Sequence, residues 1–263
     1  MLSVLKVGGS VLRDEASYAA AARFLHARLA ERADEQLVVI VSAQYGATDQ
    51  LLAEAEAITT GPAAHALDLL WSTGELRSVA RLALHLQRIG VSAIPFNVHQ
   101  TGLVADRVTG TTVRPLRLLA ALASSRIVIV PGFLGVSAGG AITSLGRGGS
   151  DLTAVLLAIA VRADACELIK DVPGYFTADP HRDANARPIH DLPIDDALRM
   201  ADAGCDLVQR AALVAAAEAD LELVIRSMDA AAPVTRCHSR ALSRSQPYGV
   251  RHQDDSRRAA VRA

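Results

Sequence analysis

The sequence predicts an α/β protein built on a largely parallel sheet. Three observations carry that reading. Short aliphatic runs recur along the chain, longer segments with helical spacing fall between them, and two glycine clusters stand just after a strand and at a helix start, the ligand edge of such sheets.

The first strand is expected at Val4–Val7, running into Gly8-Gly9. Asp14 is a plausible N-cap for a helix over Glu15–Glu31, where Tyr18, Ala22, Leu25 and Leu29 fall on one face. A strand at Leu37–Val41, a helix at Leu67–Arg88, and strands at Val91–Pro95 and Ile127–Val130 follow. Leu152–Val161 is apolar nearly throughout and reads as a buried helix. Strands at Glu167–Ile169 and Glu222–Ile225, with a helix at Gln209–Ala219, complete the alternation, and no internal repeat is present.

Composition narrows the function classes. With 263 residues, 51% hydrophobic, the chain can bury a substantial single core, and a formal net charge of -1 leaves no broad footprint for nucleic acid or membrane. The longest apolar runs, Ile127–Val136 and Leu152–Val161, are too short to span a bilayer, and no signal pattern opens the chain, so a cytoplasmic protein is expected. Cys166, Cys205 and Cys237 are odd in number and lack metal-ligand spacing, so buried thiols are expected rather than disulfides or zinc ligands.

The chemistry concentrates in two places. In Thr143–Thr153, glycines flank Arg147, and Asp151 stands at the mouth of the apolar helix. Free N–H groups at a helix start attract anions, and glycines allow close approach. Arg147 adds a planar cationic fork, whereas Asp151, an anion among these donors, needs a cationic or N–H-bearing partner. An ordinary tight turn is the alternative reading of this pattern. The second place is Lys6-Val-Gly-Gly-Ser10. Of 27 Lys plus Arg, two are lysine, Lys6 and Lys170, each within a few residues of a glycine. A compact ammonium on a flexible stem suits a moving phosphoryl group better than a guanidinium does. Two surviving surface lysines are the plainer alternative.

Six segments together resemble the catalytic domain of aspartate kinases, in the amino acid kinase superfamily: Lys6–Ser10, Val41–Asp49, Ser72–Ser78, Arg147–Asp151, Lys170–Pro180 and Asn185–Arg187. The resemblance covers about residues 3–228. It implies an amino acid kinase fold, a three-layer sandwich with helices on both faces of the sheet, in two lobes of one folding domain, 1–228. The lobe of about 1–140 would hold the acceptor and that of about 141–228 ATP. Residues 229–263, Arg-rich and with little hydrophobic periodicity, would form a tail, either frayed or an anion- or partner-binding arm. In the resembled family regulatory domains begin near this point, and feedback inhibition through them is expected to be absent.

The implied reaction is transfer of the ATP γ-phosphoryl to a carboxylate, with L-aspartate giving 4-phospho-L-aspartate. Lys6 and Asp151 would be catalytic. The nucleotide would meet Lys6, Gly8, Gly9, Ser10, Lys170, Asp171, Tyr175, Asp179, Pro180 and Arg187. Ser42, Thr48, Glu75, Arg147, Gly148, Gly149, Ser150 and Asp151 would bind the acceptor, with Glu75 and Asp151 near its ammonium group. Mg²⁺ would be held mainly by phosphates and water, with no protein metal cage. A homodimer or higher homo-oligomer is implied, and neither nucleic acid nor membrane is an expected partner. Taken alone, Ser42 and Thr48 read equally as loop caps and Tyr175 as core, and a solvated helix residue is the plainer alternative for Glu75.

Three departures leave the acceptor open. Gln44-Tyr45 replaces smaller residues, His181-Arg182 follows Asp179-Pro180, and Leu207-Val-Gln-Arg210 replaces a Leu-His-Pro-Arg motif. An aspartate analogue, a phosphonate or a specialised-metabolite precursor are the alternatives, as is a nucleotide-binding relative without turnover. The last predicts loss of Lys6 or Asp151, and both are present.

Overall fold

The computed structural model describes residues 1–106, 110–146, 148–180 and 182–238. The chain begins with β1 (Leu2–Val7), α1 (Glu15–Glu31), β2 (Gln36–Val41), α2 (Ala47–Ile58) and α3 (Ala64–Arg88). β3 (Ile94–Pro95), β4 (Leu103–Asp106), β5 (Gly110–Val113), α4 (Leu116–Leu122), β6 (Ile127–Pro131), β7 (Leu134–Val136) and β8 (Ile142–Ser144) follow. The last third holds α5 (Gly149–Val161), β9 (Ala165–Ile169), β10 (Asp191–Pro193), α6 (Ile194–Asp202), α7 (Arg210–Glu218), β11 (Leu223–Arg226) and β12 (Thr235–His238).

Eight strands form the central sheet in the order β10-β12-β11-β9-β1-β2-β6-β3, and a four-stranded sheet runs β5-β4-β7-β8. Within the central sheet all pairs are parallel except β11 with β12. Strand alternation divides the core in two. Val4, Val38, Ile40, Cys166 and Leu168 face one side, where α4, α5, α6 and α7 pack. Leu5, Val7, Leu37, Val39 and Ile169 face the other, against α1 and α3. The result is the expected α/β/α layering with a largely parallel sheet.

α1 forms as its spacing predicts, burying Tyr18, Ala22, Leu25 and Leu29, and Asp14 caps it by accepting from the Ser17 backbone N–H at 2.8 Å. The strand expected at Val91–Pro95 is shorter, because the Val91 N–H still closes α3 by bonding the Leu86 carbonyl at 2.9 Å. The sheet also continues beyond residue 228. Thr235 and Cys237 are buried and alternate with Arg236 and His238, so the first part of the Arg-rich segment pairs with both β11 and β10. Arginine within that segment masked a period-2 pattern only four residues long. Arg147, His181 and residues 239–263 lie outside the described residues.

Candidate active site

The same alternation that sorts the core selects the site. Lys6 lies two residues beyond Val4 on β1, and Lys170 two beyond Leu168 after β9, so both ammonium groups emerge on the α5 side at the C-terminal edge of adjacent strands. Asp151, in the first turn of α5, meets them there. Lys6 Nζ lies 2.9 Å from its Oδ1, and Lys170 Nζ lies 3.0 Å from Oδ1 and 2.8 Å from Oδ2. The Gln209 backbone N–H adds a bond to Oδ2 at 3.2 Å. The chain's two lysines are therefore the cationic partners that Asp151 required, and all three side chains are buried.

Burial alone would raise the Asp151 pKa, but Lys6 and then Lys170 hold it down at about 2. Burial, reinforced by the like charge of Lys6, lowers Lys170 to about 8 despite its bond to Asp151. Two cations share one carboxylate, leaving positive charge in a poorly solvated place.

Glycine is required where the backbone closes on this centre. A Cβ on Gly9 would stand 2.8 Å from the Ala43 carbonyl oxygen, and one on Gly132 would stand 2.6 Å from Ser150 Oγ. Gly148, at φ 77°, turns the chain into α5. Phe133, next to Gly132, also takes positive φ, 68°, an uncommon conformation for a bulky side chain.

Beside this centre opens a cleft of 550 Å³, reached by Gly9, Ser10, Ser42, Thr48, Glu75 and Gly148–Ser150. These residues, scattered from 9 to 150 in sequence, were expected to share a site, and the fold brings them together. Glu75 is 3% exposed, so it is no solvated helix residue. Burial pushes its pKa up to about 8, against the Ala43 backbone N–H and the charge of Lys6, and its Oε2 has no hydrogen-bond partner in the structure.

Sequence reasoning missed the apolar wall of the cleft, formed by Leu52, Trp71 and Phe133 with Tyr45 at its rim. The signals were present: Trp71 is the single tryptophan and directly precedes the Ser72–Ser78 segment.

The nucleotide-side residues are dispersed. Asp171 accepts from Ser10 Oγ at 2.8 Å and lies 3.5 Å from Arg13. Asp179, Pro180 and Arg187 are exposed on a loop closed by the Thr177 N–H on the Arg187 carbonyl, 2.9 Å. Tyr175 is 1% exposed within the main core, the packing alternative open in the sequence, and its hydroxyl has no hydrogen-bond partner in the structure. None of these lines the cleft. Among the described residues no helix is long and apolar enough to cross a membrane, and no group of three or more His, Cys, Asp or Glu could hold a metal.

Comparisons with known proteins identify the family. The chain matches the Amino acid kinase family over residues 1–227. It is 37% identical over 231 residues to an aspartokinase of Thermus thermophilus, covering 86% of this chain and 56% of that protein. It is 37% identical over 196 residues to aspartokinase 2 of Bacillus subtilis, covering 73% and 48%. The chain thus spans about half the length of these relatives. Among solved structures, aspartate kinase from Synechocystis superposes with a TM-score of 0.81 at 33% identity, covering 91% of this chain and 40% of that one. Uridylate kinase from Archaeoglobus fulgidus, TM-score 0.66 at 19% identity over 90% of this chain and 100% of its own, shares the fold. With the lysine-flanked Asp151, the glycine turns and this match over nearly all the described residues, the chain belongs to the amino acid kinase family.

Proposed function

We propose that this chain catalyses ATP-dependent phosphorylation of a carboxylate on a small acidic amino acid, with L-aspartate giving 4-phospho-L-aspartate as the first acceptor to test. The observation that carries this reading is the burial of both lysines around Asp151, at strand ends facing a glycine-lined helix start. The excess positive charge and the close backbone approach at Gly9 fit a polyphosphate. When bound, ATP supplies the phosphoryl group, and Mg²⁺ would neutralise its oxygens alongside water.

In this reading Asp151 holds the two ammonium groups in place while the polyphosphate oxygens claim part of their charge. Lys6, on its flexible stem, follows the group being transferred, and charge developing there is stabilised without reorganising solvent. The Gly8–Ser10 turn adds the backbone donors of Gly9 and Ser10, the Gly8 N–H being taken by the Ile169 carbonyl at 3.1 Å. Glu75 receives the acceptor ammonium, Ser42 and Thr48 orient it, and Arg147 pairs with its second carboxylate. A buried acid at this point favours an ammonium-bearing acceptor over a phosphonate. Residues about 1–140 form the acceptor lobe and about 141–228 the nucleotide lobe, with Asp171, Asp179, Pro180 and Arg187 on the nucleotide side. A cytoplasmic homo-oligomer completes the proposal, which the aspartokinase relatives support.

Coupled ADP release with hydroxylamine trapping, across L-aspartate, L-glutamate, their analogues and small phosphonates, tests it. An acyl hydroxamate formed with an acidic amino acid is the expected result. Turnover confined to phosphonates, or none with any acceptor, would overturn it.

A further inference from the structure

The lining of the acceptor cleft is of two kinds. Glycine turns and Glu75 supply polar groups, whereas Tyr45, Leu52, Trp71 and Phe133 supply an apolar wall, with the Phe133 ring packed against Gly149. That wall is fixed by its own contacts. Trp71 and Phe133 meet edge to face with centroids 5.6 Å apart, and the Trp71 indole N–H donates to the Thr48 carbonyl at 3.3 Å.

Tyr45 is 62% exposed, yet it is not loose. Its backbone N–H bonds the Leu12 carbonyl at 3.0 Å, and the Arg13 guanidinium lies 5.0 Å from its ring centroid. The preceding Gln44 is held at both ends of its amide: Nε2 donates to the Arg13 carbonyl at 2.7 Å, and Oε1 accepts from Arg81. An aromatic rim is thus fixed in place where solvent would otherwise favour a polar residue.

Aspartate offers a single methylene to such a wall. Cavities of roughly 300–1,000 Å³ suit ligands of drug size, and this one measures 550 Å³. Resting on the reading of the site as a carboxylate kinase, we propose that its acceptor is an acidic amino acid bearing an apolar or aromatic substituent, which packs against Tyr45, Leu52, Trp71 and Phe133. The ammonium group meets Glu75, and the reacting carboxylate points to Lys6. A carboxylate oxygen forms the new bond to the γ-phosphorus as the bond from that phosphorus to the bridging oxygen breaks, leaving ADP. The nucleophile is already ionised at neutral pH, so no proton needs to be removed.

Trp71, as the single tryptophan, reports occupancy of the cleft directly. The full chain, with Mg²⁺ and ADP, is titrated with L-aspartate, threo-3-phenyl-L-aspartate and threo-3-benzyl-L-aspartate while Trp71 emission is followed, and the same acids are assayed for hydroxylamine-trapped product with ATP. At least one aryl-bearing acid is expected to shift the emission at a concentration roughly tenfold or more below that of L-aspartate, and to show a correspondingly higher kcat/KM. Tyr45→Gly should remove most of that advantage in both readouts, and Trp71→Leu should reduce it in the kinetic one. If L-aspartate is phosphorylated with the highest kcat/KM and neither aryl acid moves the emission, the proposal is overturned while the carboxylate-kinase reading stands. Absence of acyl phosphate from every acceptor would overturn both.

Discussion

Glu75→Gln is the substitution whose consequences can be worked furthest from the structure. In the free protein the buried carboxyl has a pKa of about 8, so at pH 7 it is mostly protonated. Binding a cationic acceptor demands the ionised form, and ionising it one unit below its pKa costs about 1.4 kcal/mol. The charged hydrogen bond gained is worth ~1.5–3 kcal/mol, or roughly 10- to 150-fold in affinity. Above pH 8 the variant should therefore show an acceptor KM raised by about that factor. At pH 6 the wild-type protein itself must spend about 2.7 kcal/mol on ionisation, and the two proteins should converge to within a few-fold.

Acceptor KM measured from pH 6 to 9, with ATP affinity by calorimetry as the control, checks this. Wild-type binding should release nearly one proton at pH 7, and the variant none. A KM defect equal at all pH values, or an equal loss of ATP affinity, would refute the role assigned to Glu75. Stability should move the opposite way. Because folding raises this pKa from 4.5, the stabilising effect of the protonated group is fully present below 4.5 and lost as the pH climbs through 8. The loss is on the order of 5 kcal/mol, so the ligand-free Glu75→Gln protein should melt several degrees above wild type at pH 9 and not at pH 4.

Three further substitutions probe the charged centre. Lys6→Arg should lower kcat by the equivalent of ~3–4 kcal/mol while ATP affinity changes little, because a donor to developing charge is lost; unchanged kcat in steady-state kinetics would remove Lys6 from the mechanism. Asp151→Asn leaves two buried ammonium groups without their anion and should destabilise by ~3–5 kcal/mol in denaturant titration. Since the Asp151 pKa is lowered from 3.8 to about 2, its contribution in the wild type is present above 3.8 and lost as the pH falls to 2, so the gap between the proteins should narrow below pH 4. Gly9→Ala pushes a methyl group to 2.8 Å from the Ala43 carbonyl and should cost ~1–3 kcal/mol together with turnover, measured by melting and ADP release.

What the chain disclosed in advance follows from how local each signal is. The α1 stripe, the Asp14 cap and the strand ends at Gly8 and Lys170 depend on neighbours in sequence, and they were legible. The pairing of both lysines with Asp151 was half legible: the acid's need for a cation could be read, but the partners lie 145 and 19 residues away and only the sheet register unites them. Strands β4, β5, β7, β8, β10 and β12 run at most four residues, too short for a period to declare itself against loop composition. The aromatic wall was legible only at Trp71, because Tyr45, Trp71 and Phe133 come from three separate stretches of the chain, and Phe133 sits in a conformation that no propensity favours.

The two buried ionic clusters of the sheet show what distinguishes support from function. At the N-terminal edge of the strands, on the α1 side, Arg28 forks onto Glu35 with bonds of 2.8 and 2.7 Å and reaches Glu167 at 2.7 Å, while Ser3 Oγ donates to Glu35 at 2.5 Å. Arg32 lies 3.4 Å from Glu35 and Arg226 lies 3.7 Å from Glu167, so two acids stand against three arginines, two of them part-exposed and able to share their charge with water. Glu167 Oε2 has no hydrogen-bond partner there either, but it keeps the Arg226 charge beside it, and the excess positive charge of the cluster rests on arginines that reach water. At the C-terminal edge, on the α5 side, both cations are buried, one anion serves them, and Glu75 nearby keeps an oxygen without a hydrogen-bond partner. A buried excess of charge costs stability unless something completes it. An anion at the lysines and a cation at Glu75 would each remove such a cost, and a phosphoryl donor together with an ammonium-bearing acceptor brings both charges into one cleft.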